Sequence, residues 1–286
     1  MKASAALSML VCVAFIAIAP RFVSQNAVAV LWVEIAALTA LMITVGVSVT
    51  GRTFGILINE RNVMSLSRFQ AVLWTVLVLA DFATILLGRA WKGMPITDVQ
   101  DLLRPDLLAL MGISYASAVG TSIAHANKSG KPTPVTAVQD TQTNLNDQAG
   151  SFTAAQGVMY MNKNITDASV ADLFEGDELA DAHTTDLSKV QMFFFTVVSA
   201  VVFLGAANSL LMNMTSIAGV TIPQLPQMLI ALMGISHASY VGNTAVTRTQ
   251  PQGNVQSTAQ PQAQPPAGQT LLNPTGPSVS SKIVQP

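Results

Sequence analysis

Long apolar runs separated by shorter polar stretches dominate the pattern of this sequence. A membrane helix needs about 20 mostly apolar residues to cross the hydrocarbon core, and six runs reach or approach that length. Numbered one to six, these predicted spans cover Ala3–Pro20, Ala27–Val49, Phe69–Leu87, Leu107–Ala124, Val190–Leu211 and Met228–Val246. The pattern therefore predicts an all-α integral membrane protein with six transmembrane helices.

Part of this pattern occurs twice. The segment Leu66-Ser67-Arg68-Phe69-Gln70 recurs 121 residues later as Leu187-Ser188-Lys189-Val190-Gln191. The block 109–114, Ala-Leu-Met-Gly-Ile-Ser, recurs 122 residues later at 231–236. The nearly constant offset predicts that spans three and four and spans five and six form a tandem two-helix repeat. Because each copy contains two spans, both copies enter the membrane from the same side, so the repeat is parallel.

Small residues recur every four positions in both copies. At about 100° per residue, such residues share one helix face and allow two helix backbones to approach closely in lipid. We therefore expect span four to pack against span six. The residues expected in this contact are Gly112, Ala116 and Gly120 in the first copy and Gly234, Ala238 and Gly242 in the second.

The motif that precedes spans three and five has a structural interpretation. Ser65 and Asp186 are suitable N-cap residues. The basic residues Arg68 and Lys189 are placed to reach lipid phosphates, and Gln70 and Gln191 to donate hydrogen bonds to a neighbouring helix. A binding role for these four residues is the alternative.

The remaining organisation follows from composition. Residues 1–50 form an N-terminal span pair, 51–128 the first repeat and 186–248 the second repeat. The loop 129–185 begins as a linker rich in Thr, Gln and Asn and continues as an acidic segment. We expect a solvated face at 167–186, with docking to a basic cytoplasmic protein as the alternative. The Pro- and Gln-rich tail 249–286 is expected to be disordered.

Composition narrows the function classes. Half of the residues (50%) are hydrophobic and only 10% are charged, so a soluble globular domain is excluded as the starting class. The net charge of −1 provides no cationic excess for nucleic acid. One cysteine, Cys12, cannot form an intrachain disulfide. The sequence contains no recognised metal, cofactor or catalytic motif, and we expect a protein that is not an enzyme.

Basic residues predict the orientation. Ten of the 14 Lys and Arg residues lie on the side of the N-terminus, the long loop and the tail. The opposite side has only Arg21, Arg89, Lys92 and Arg104. The positive-inside rule therefore predicts a multi-pass protein of a cell inner membrane with both termini in the cytoplasm. Whether span one is instead a cleaved signal peptide is left open by its short length.

Three ionisable residues fall inside predicted spans. Glu34, Asp81 and His237 are candidates for a proton or cation path, because an ionisable group in a membrane is costly. The alternative is that they are buried hydrogen-bond partners between helices. The repeat favours this alternative, since Asp81 aligns with Val202 and His237 aligns with Tyr115.

Taken together, these features favour a noncatalytic membrane anchor or scaffold. Such a protein would form a homo-oligomer or membrane complex through its small-residue faces and present its loop and tail to partners. The alternative is a small cation or proton channel or carrier that uses Glu34, Asp81 and His237.

Overall fold

The computed structural model describes residues 2–94, 105–144 and 155–250. Except for Thr249 and Gln250, the tail that we expect to be disordered lies outside the described residues. The described part is all-helical and contains isolated β-bridges but no β-strand. Its α-helices are α1 (Lys2–Ile18), α2 (Val23–Thr50), α3 (Leu66–Trp91), α4 (Pro105–Ser129), α5 (Val135–Asn144), α6 (Leu187–Met212) and α7 (Gln227–Ala245).

Each of the six predicted spans lies on an α-helix, in the order α1, α2, α3, α4, α6 and α7. Four helical stretches among the described residues are long and apolar enough to cross a membrane. They are Ser4–Thr50, which contains both α1 and α2, and the helices α3, α4 and α6. The 19-residue helix α7 is not one of the four. These stretches are compatible with a multi-pass membrane protein.

The first of these stretches folds back on itself. A 3₁₀ turn at Ala19–Phe22, with Pro20 at its start, separates α1 from α2. Residues 4–9 line the same cleft as residues 43–48, so the two helices are antiparallel. Asn26 interrupts α2 with non-helical φ and ψ of −158° and 91°. Its Oδ1 accepts a hydrogen bond from the Ala29 amide at 2.9 Å, so Asn26 caps the regular helix that follows.

Helix α3 has neighbours on several sides. It packs against α2, α4 and α6, while α7 packs against α4 and α6. The Trp74 ring meets the Phe203 ring edge to face, with centroids 6.2 Å apart, and both side chains are buried. These contacts belong to one apolar core that joins the α1–α2 hairpin to the later helices. Helices α3 and α6 each contain 26 residues.

The helices run back and forth between two ends of the bundle. The loop end contains residues 51–65, 155–186 and 246–250, which are linked by hydrogen bonds such as Asn162 N to Arg61 O and Lys128 Nζ to Val246 O. The turn end contains the α1–α2 turn, the end of α3 and the α6–α7 loop, which are linked through Arg89 and Trp91.

The central loop has more structure than the sequence predicts. Part of the expected linker forms α5, whose Thr141 hydroxyl donates to Leu179 O at 2.7 Å. The described acidic segment contains two short 3₁₀ turns, Ile165–Asp167 and Val170–Leu173, each with a capping box. The expectation of a plain linker is therefore wrong for residues 135–144, because this helix packs on the loop end.

Candidate functional site: a polar bundle interior and its ion-pair cap

The six small residues lie on two different faces. Helices α4 and α7 do pack against each other. A Cβ added to Gly120 would lie 3.0 Å from Val241 Cγ1, and one added to Gly234 would lie 3.7 Å from Ile113 Cδ1. These two glycines are therefore in the helix contact. The other four, Gly112, Ala116, Ala238 and Gly242, are exposed on the outside of the chain.

The buried face of α4 is instead a seam with alternating spacings of three and four residues, typical of closely packed, slightly inclined helices. It contains small polar side chains in place of a continuous apolar stripe. The seam residues are Leu107, Leu110, Ser114, Ser117, Thr121, Ala124 and Lys128. Helix α4 therefore contributes hydroxyl groups to the bundle interior.

The three ionisable residues of the predicted path are all buried. Glu34 is 0% exposed, Asp81 1% and His237 3%. Within the described part of the chain, neither carboxylate oxygen of Glu34 or Asp81 and neither ring nitrogen of His237 has a hydrogen-bond partner. The structure thus places all three in the interior without forming the interhelical hydrogen bonds expected of purely structural residues.

The two carboxylates lie on neighbouring helices. Helix α2 packs against α3, and a Cβ added to Gly88 of α3 would lie 3.0 Å from Val23 Cγ1 of α2. Glu34 belongs to the regular part of α2 after Asn26, and Asp81 belongs to α3. A path between these two helices would therefore contain both side chains.

Further polar groups in the interior also lack partners. Gln70 Nε2 donates to Thr196 Oγ1 at 2.7 Å, joining α3 to α6, but its Oε1 accepts nothing. The other buried polar atoms without a partner in this part of the described bundle are Trp74 Nε1, Asn208 Oδ1 and the hydroxyls of Ser114, Ser117, Ser199 and Ser236. Since more than about nine-tenths of buried polar groups in proteins are bonded, this interior is unusual.

The motif before α3 and α6 behaves differently in its two copies. Both predicted N-caps are present: Ser65 accepts from Arg68 N, and Asp186 accepts from Ser188 N. Gln70 bonds to α6 as described, whereas Gln191 is exposed. The motif is therefore a shared helix start with different side-chain partners in each copy.

The expectation that Lys189 reaches lipid phosphates is wrong. Its side chain is 4% exposed, and its Nζ lies 3.1 Å from Asp177 Oδ1 and donates to Glu175 O at 2.6 Å. Arg68 is 45% exposed and donates to Ile58 O at 2.6 Å. Of these two basic residues, Arg68 has the partly exposed side chain, because the acidic segment covers Lys189.

Asp177 is the centre of an ion-pair cap over the loop end. Its Oδ1 lies 2.7 Å from Arg61 NH2, and its Oδ2 lies 3.5 Å from His125 Nε2. Burial alone would raise the pKa of Asp177, but the charges of Lys189 and Arg61, together with His125, hold that pKa well below the usual range. Asp177 is therefore ionised and binds elements from three parts of the chain.

A second buried pair lies beside the first. Lys128 Nζ is 2.6 Å from Glu178 Oε1, with the two side chains 4% and 2% exposed. Glu178 also accepts from the amides of Arg248 and Thr249. The expectation of a solvated acidic face is therefore wrong at these positions, because the carboxylates pair inside the protein.

At the turn end, Arg89 has a similar structural role. Its guanidinium is buried and donates to the carbonyl oxygens of Ile217, Ala218 and Val220 at 3.2, 3.0 and 2.7 Å. These bonds hold the α6–α7 loop against the end of α3. In the sequence, Arg89 was counted only as a positive charge that helps to set the orientation. Its position near the end of an apolar helix was the one local feature that pointed to a structural role.

Comparison with known proteins adds no further constraint. No family model matches the chain, and no curated protein or solved structure shows a significant match to it. Among the described residues, no group of three or more His, Cys, Asp or Glu side chains is arranged to hold a metal ion.

Proposed function

We propose that this protein transfers protons or small cations across a membrane through its helical bundle, with Glu34, Asp81 and His237 as the ionisable groups of the path. The observation that carries the proposal is the burial of these three side chains without hydrogen-bond partners in the described structure. This observation favours the channel or carrier over the anchor or scaffold, which the sequence alone had favoured.

The energetic cost separates the two interpretations. A buried polar group that serves only the fold is bonded, because leaving it unsatisfied costs about 1–3 kcal/mol and more for a charged group. An ionisable group that must bind and release a proton or cation cannot have all its oxygens permanently occupied. The unpartnered carboxylates of Glu34 and Asp81 fit the second description.

The repeat is compatible with this proposal. Asp81 aligns with Val202, which argued against a path built from both copies. However, Asp81 belongs to the helix that packs against α2, and α2 contributes Glu34 from outside the repeat. A path between α2 and α3 therefore needs no equivalent carboxylate in the second copy.

The proposal includes the finer architecture. We place all six long helices across a cell inner membrane, with spans three to six as a parallel tandem repeat and the loop end in the cytoplasm. The equal lengths of α3 and α6 support the duplication, and the topology predicted from the sequence puts ten of the 14 basic residues on the cytoplasmic side.

Proton flux in proteoliposomes tests the function. Asp81→Asn keeps the shape of the side chain but removes its titratable group, so we expect flux to fall to the level of protein-free liposomes while thermal unfolding changes little. Glu60→Gln is the matched control, since Glu60 is 63% exposed and outside the interior. Absence of flux in the wild-type protein, or equal flux in Asp81→Asn, would overturn the proposal.

A second candidate is the anchor or scaffold that assembles with other copies of the chain. Its support is the outward position of Gly112, Ala116, Ala238 and Gly242 on the adjacent helices α4 and α7. Docking of a basic cytoplasmic protein at 167–186 has less support, because Asp177 and Glu178 are paired internally. The net charge of −1 does not favour nucleic acid as a partner.

Association in a bilayer tests this candidate. Nothing lies within 4 Å of a Cβ added to Gly112 or Gly242, so Leu at either position leaves the fold of one chain intact. If the outer face joins copies, both variants weaken self-association measured by energy transfer between labelled chains in liposomes. A monomeric wild-type protein, or Leu variants that associate as well as the wild type, would contradict it.

A further inference from the structure

One histidine lies where the polar interior meets the ion-pair cap. His125 is near the end of α4, its side chain is 13% exposed, and its Nε2 lies 3.5 Å from Asp177 Oδ2. Asp177 is held at the same time by Arg61 and Lys189. His125 is therefore fixed beside an ionised carboxylate, with Nε2 buried and another part of its side chain in contact with solvent.

Hydroxyl groups continue inward from this histidine along α4. Thr121, Ser117 and Ser114 follow at spacings of four, four and three residues, which puts them on the same helix face. All three are buried, and the hydroxyls of Ser117 and Ser114 have no partner within the described residues. Together with His125, these hydroxyls form a row on one face of α4, here called the hydroxyl line, that runs from the loop end into the bundle. The Thr121 hydroxyl donates to Ser117 O at 2.9 Å.

Helix α3 and helix α7 border the first step of this line. Thr121 Oγ1 lies 3.5 Å from Ser67 Oγ. The Tyr240 side chain is hydrogen-bonded to Ser67 and Thr244, and it interacts electrostatically with Asp177 and Arg61. The cap and the polar interior are therefore continuous.

We infer that His125 is the group that exchanges protons between solution and the bundle interior at the loop end. The inference depends on the proposed transfer function and deepens it. Histidine is the side chain suited to exchange near neutral pH. In this relay the imidazole binds a proton from solution at Nδ1 and releases the proton of its buried nitrogen, Nε2, while the adjacent Asp177 carboxylate balances the imidazolium charge. Each hydroxyl of the line accepts one proton and passes on its own. No covalent bond between heavy atoms forms or breaks.

Charged groups of both signs surround this entrance. Arg61, Lys128 and Lys189 are paired with Asp177 and Glu178, and Glu175 lies near Asp172 and Lys189. Among the described residues, no three His, Cys, Asp or Glu side chains are arranged to hold a metal ion. The inference is therefore made for protons.

Flux measurements with matched histidine variants test the inference. Proteoliposomes are loaded with a pH-sensitive dye, and a potassium gradient with valinomycin provides the driving potential. We expect His125→Gln to lower proton flux at least tenfold. His183→Gln is the control, because His183 is exposed in the loop that contains Asp177, and its loss leaves the flux unchanged.

A second pair of variants tests the hydroxyl line without altering the cap. Thr121→Val removes the hydroxyl at constant shape and is expected to lower flux, while Thr121→Ser restores it. Imidazole added to His125→Ala is expected to recover part of the flux, which a purely structural role would not allow.

The outcomes separate this inference from the proposed function. If Asp81→Asn abolishes flux but His125→Gln and Thr121→Val do not reduce it, His125 is not the exchange group and the proposed function stands. Sodium or potassium flux equal to proton flux would also overturn the inference. Absence of wild-type flux would overturn both.

Discussion

The Lys128–Glu178 pair gives a sharp test of the ion-pair cap, because its predicted cost depends on whether the acidic segment is buried. Lys128→Met removes the ammonium that lies 2.6 Å from Glu178 Oε1. Glu178 would then retain only the amides of Arg248 and Thr249 as donors. Breaking a buried pair by removing one partner costs about 3–5 kcal/mol, whereas a solvated pair contributes about 0–1 kcal/mol.

The assay is reversible unfolding in mixed micelles, followed by tryptophan fluorescence. Because Lys128→Met leaves a buried charge unpaired, the double variant with Glu178→Gln is expected to lose less stability than the two single variants added together. Glu60→Gln is the exposed control, since the Glu60–Arg68 pair is 3.5 Å apart and 63% and 45% exposed. A loss below about 1 kcal/mol for Lys128→Met, equal to that control, would refute the buried cap.

Three further predictions concern packing, pH and orientation. Gly120→Leu should destabilise the fold by about 1–3 kcal/mol in the same assay through overpacking, because the added Cβ already lies 3.0 Å from a neighbouring valine, while Gly112→Leu should not. Burial and the nearby charge of Asp172 raise the pKa of Glu175 above 4.5, although the charge of Lys189 acts in the opposite direction. The folded state therefore loses stability as the pH rises above 4.5 and Glu175 ionises. Glu175→Gln should raise the melting temperature at pH 7 but not at pH 4, and an equal effect at both pH values would contradict this prediction. In a cysteine-free background, a membrane-impermeant maleimide should label Thr215→Cys but not Thr184→Cys in intact cells, both sites being exposed, and the reverse pattern would invert the orientation.

Local signals in the sequence predict the helices well. Each apolar run lies on a helix, and the caps Ser65 and Asp186 stand where the motif puts them. These features depend on residues within a few positions of each other, which is the range over which helix capping and helix periodicity act. The kink at Asn26 was not predicted, because span two was only expected to begin at Ala27, whereas α2 begins at Val23.

The ion-pair cap could not be predicted in the same way. Arg61 and Asp177 are 116 positions apart, and Lys128 and Val246 are 118 positions apart. An acidic segment in a polar loop has the composition of a solvated surface, and only the tertiary fold supplies its buried cations. The contacts of the small residues could not be predicted either. Helix periodicity puts Gly112 and Gly120 near the same face, but only the tertiary fold shows that Gly120 is the one that contacts α7.

The candidate site combines both kinds of information. Sequence alone identified Glu34, Asp81 and His237 as costly, and the structure adds that they are buried and unpartnered. His125, by contrast, lies near a helix end in a polar context, where a histidine gives no signal. Its significance comes from Asp177, which reaches it from a loop 52 positions later in the chain.

The described charged groups have different roles at the two ends of the bundle. At the turn end, Nε and Nη2 of Arg89 donate to three carbonyl oxygens, so a permanently charged group stabilises the α6–α7 loop. At the loop end, paired carboxylates and cations surround His125, the side chain that we propose as the exchange group. The hydroxyls that follow His125 lie on α4, whereas the two proposed carboxylates lie on α2 and α3. The proposed path therefore needs both the helices of the duplicated sequence and the N-terminal hairpin, which is consistent with neither copy of the duplicated sequence containing the whole set.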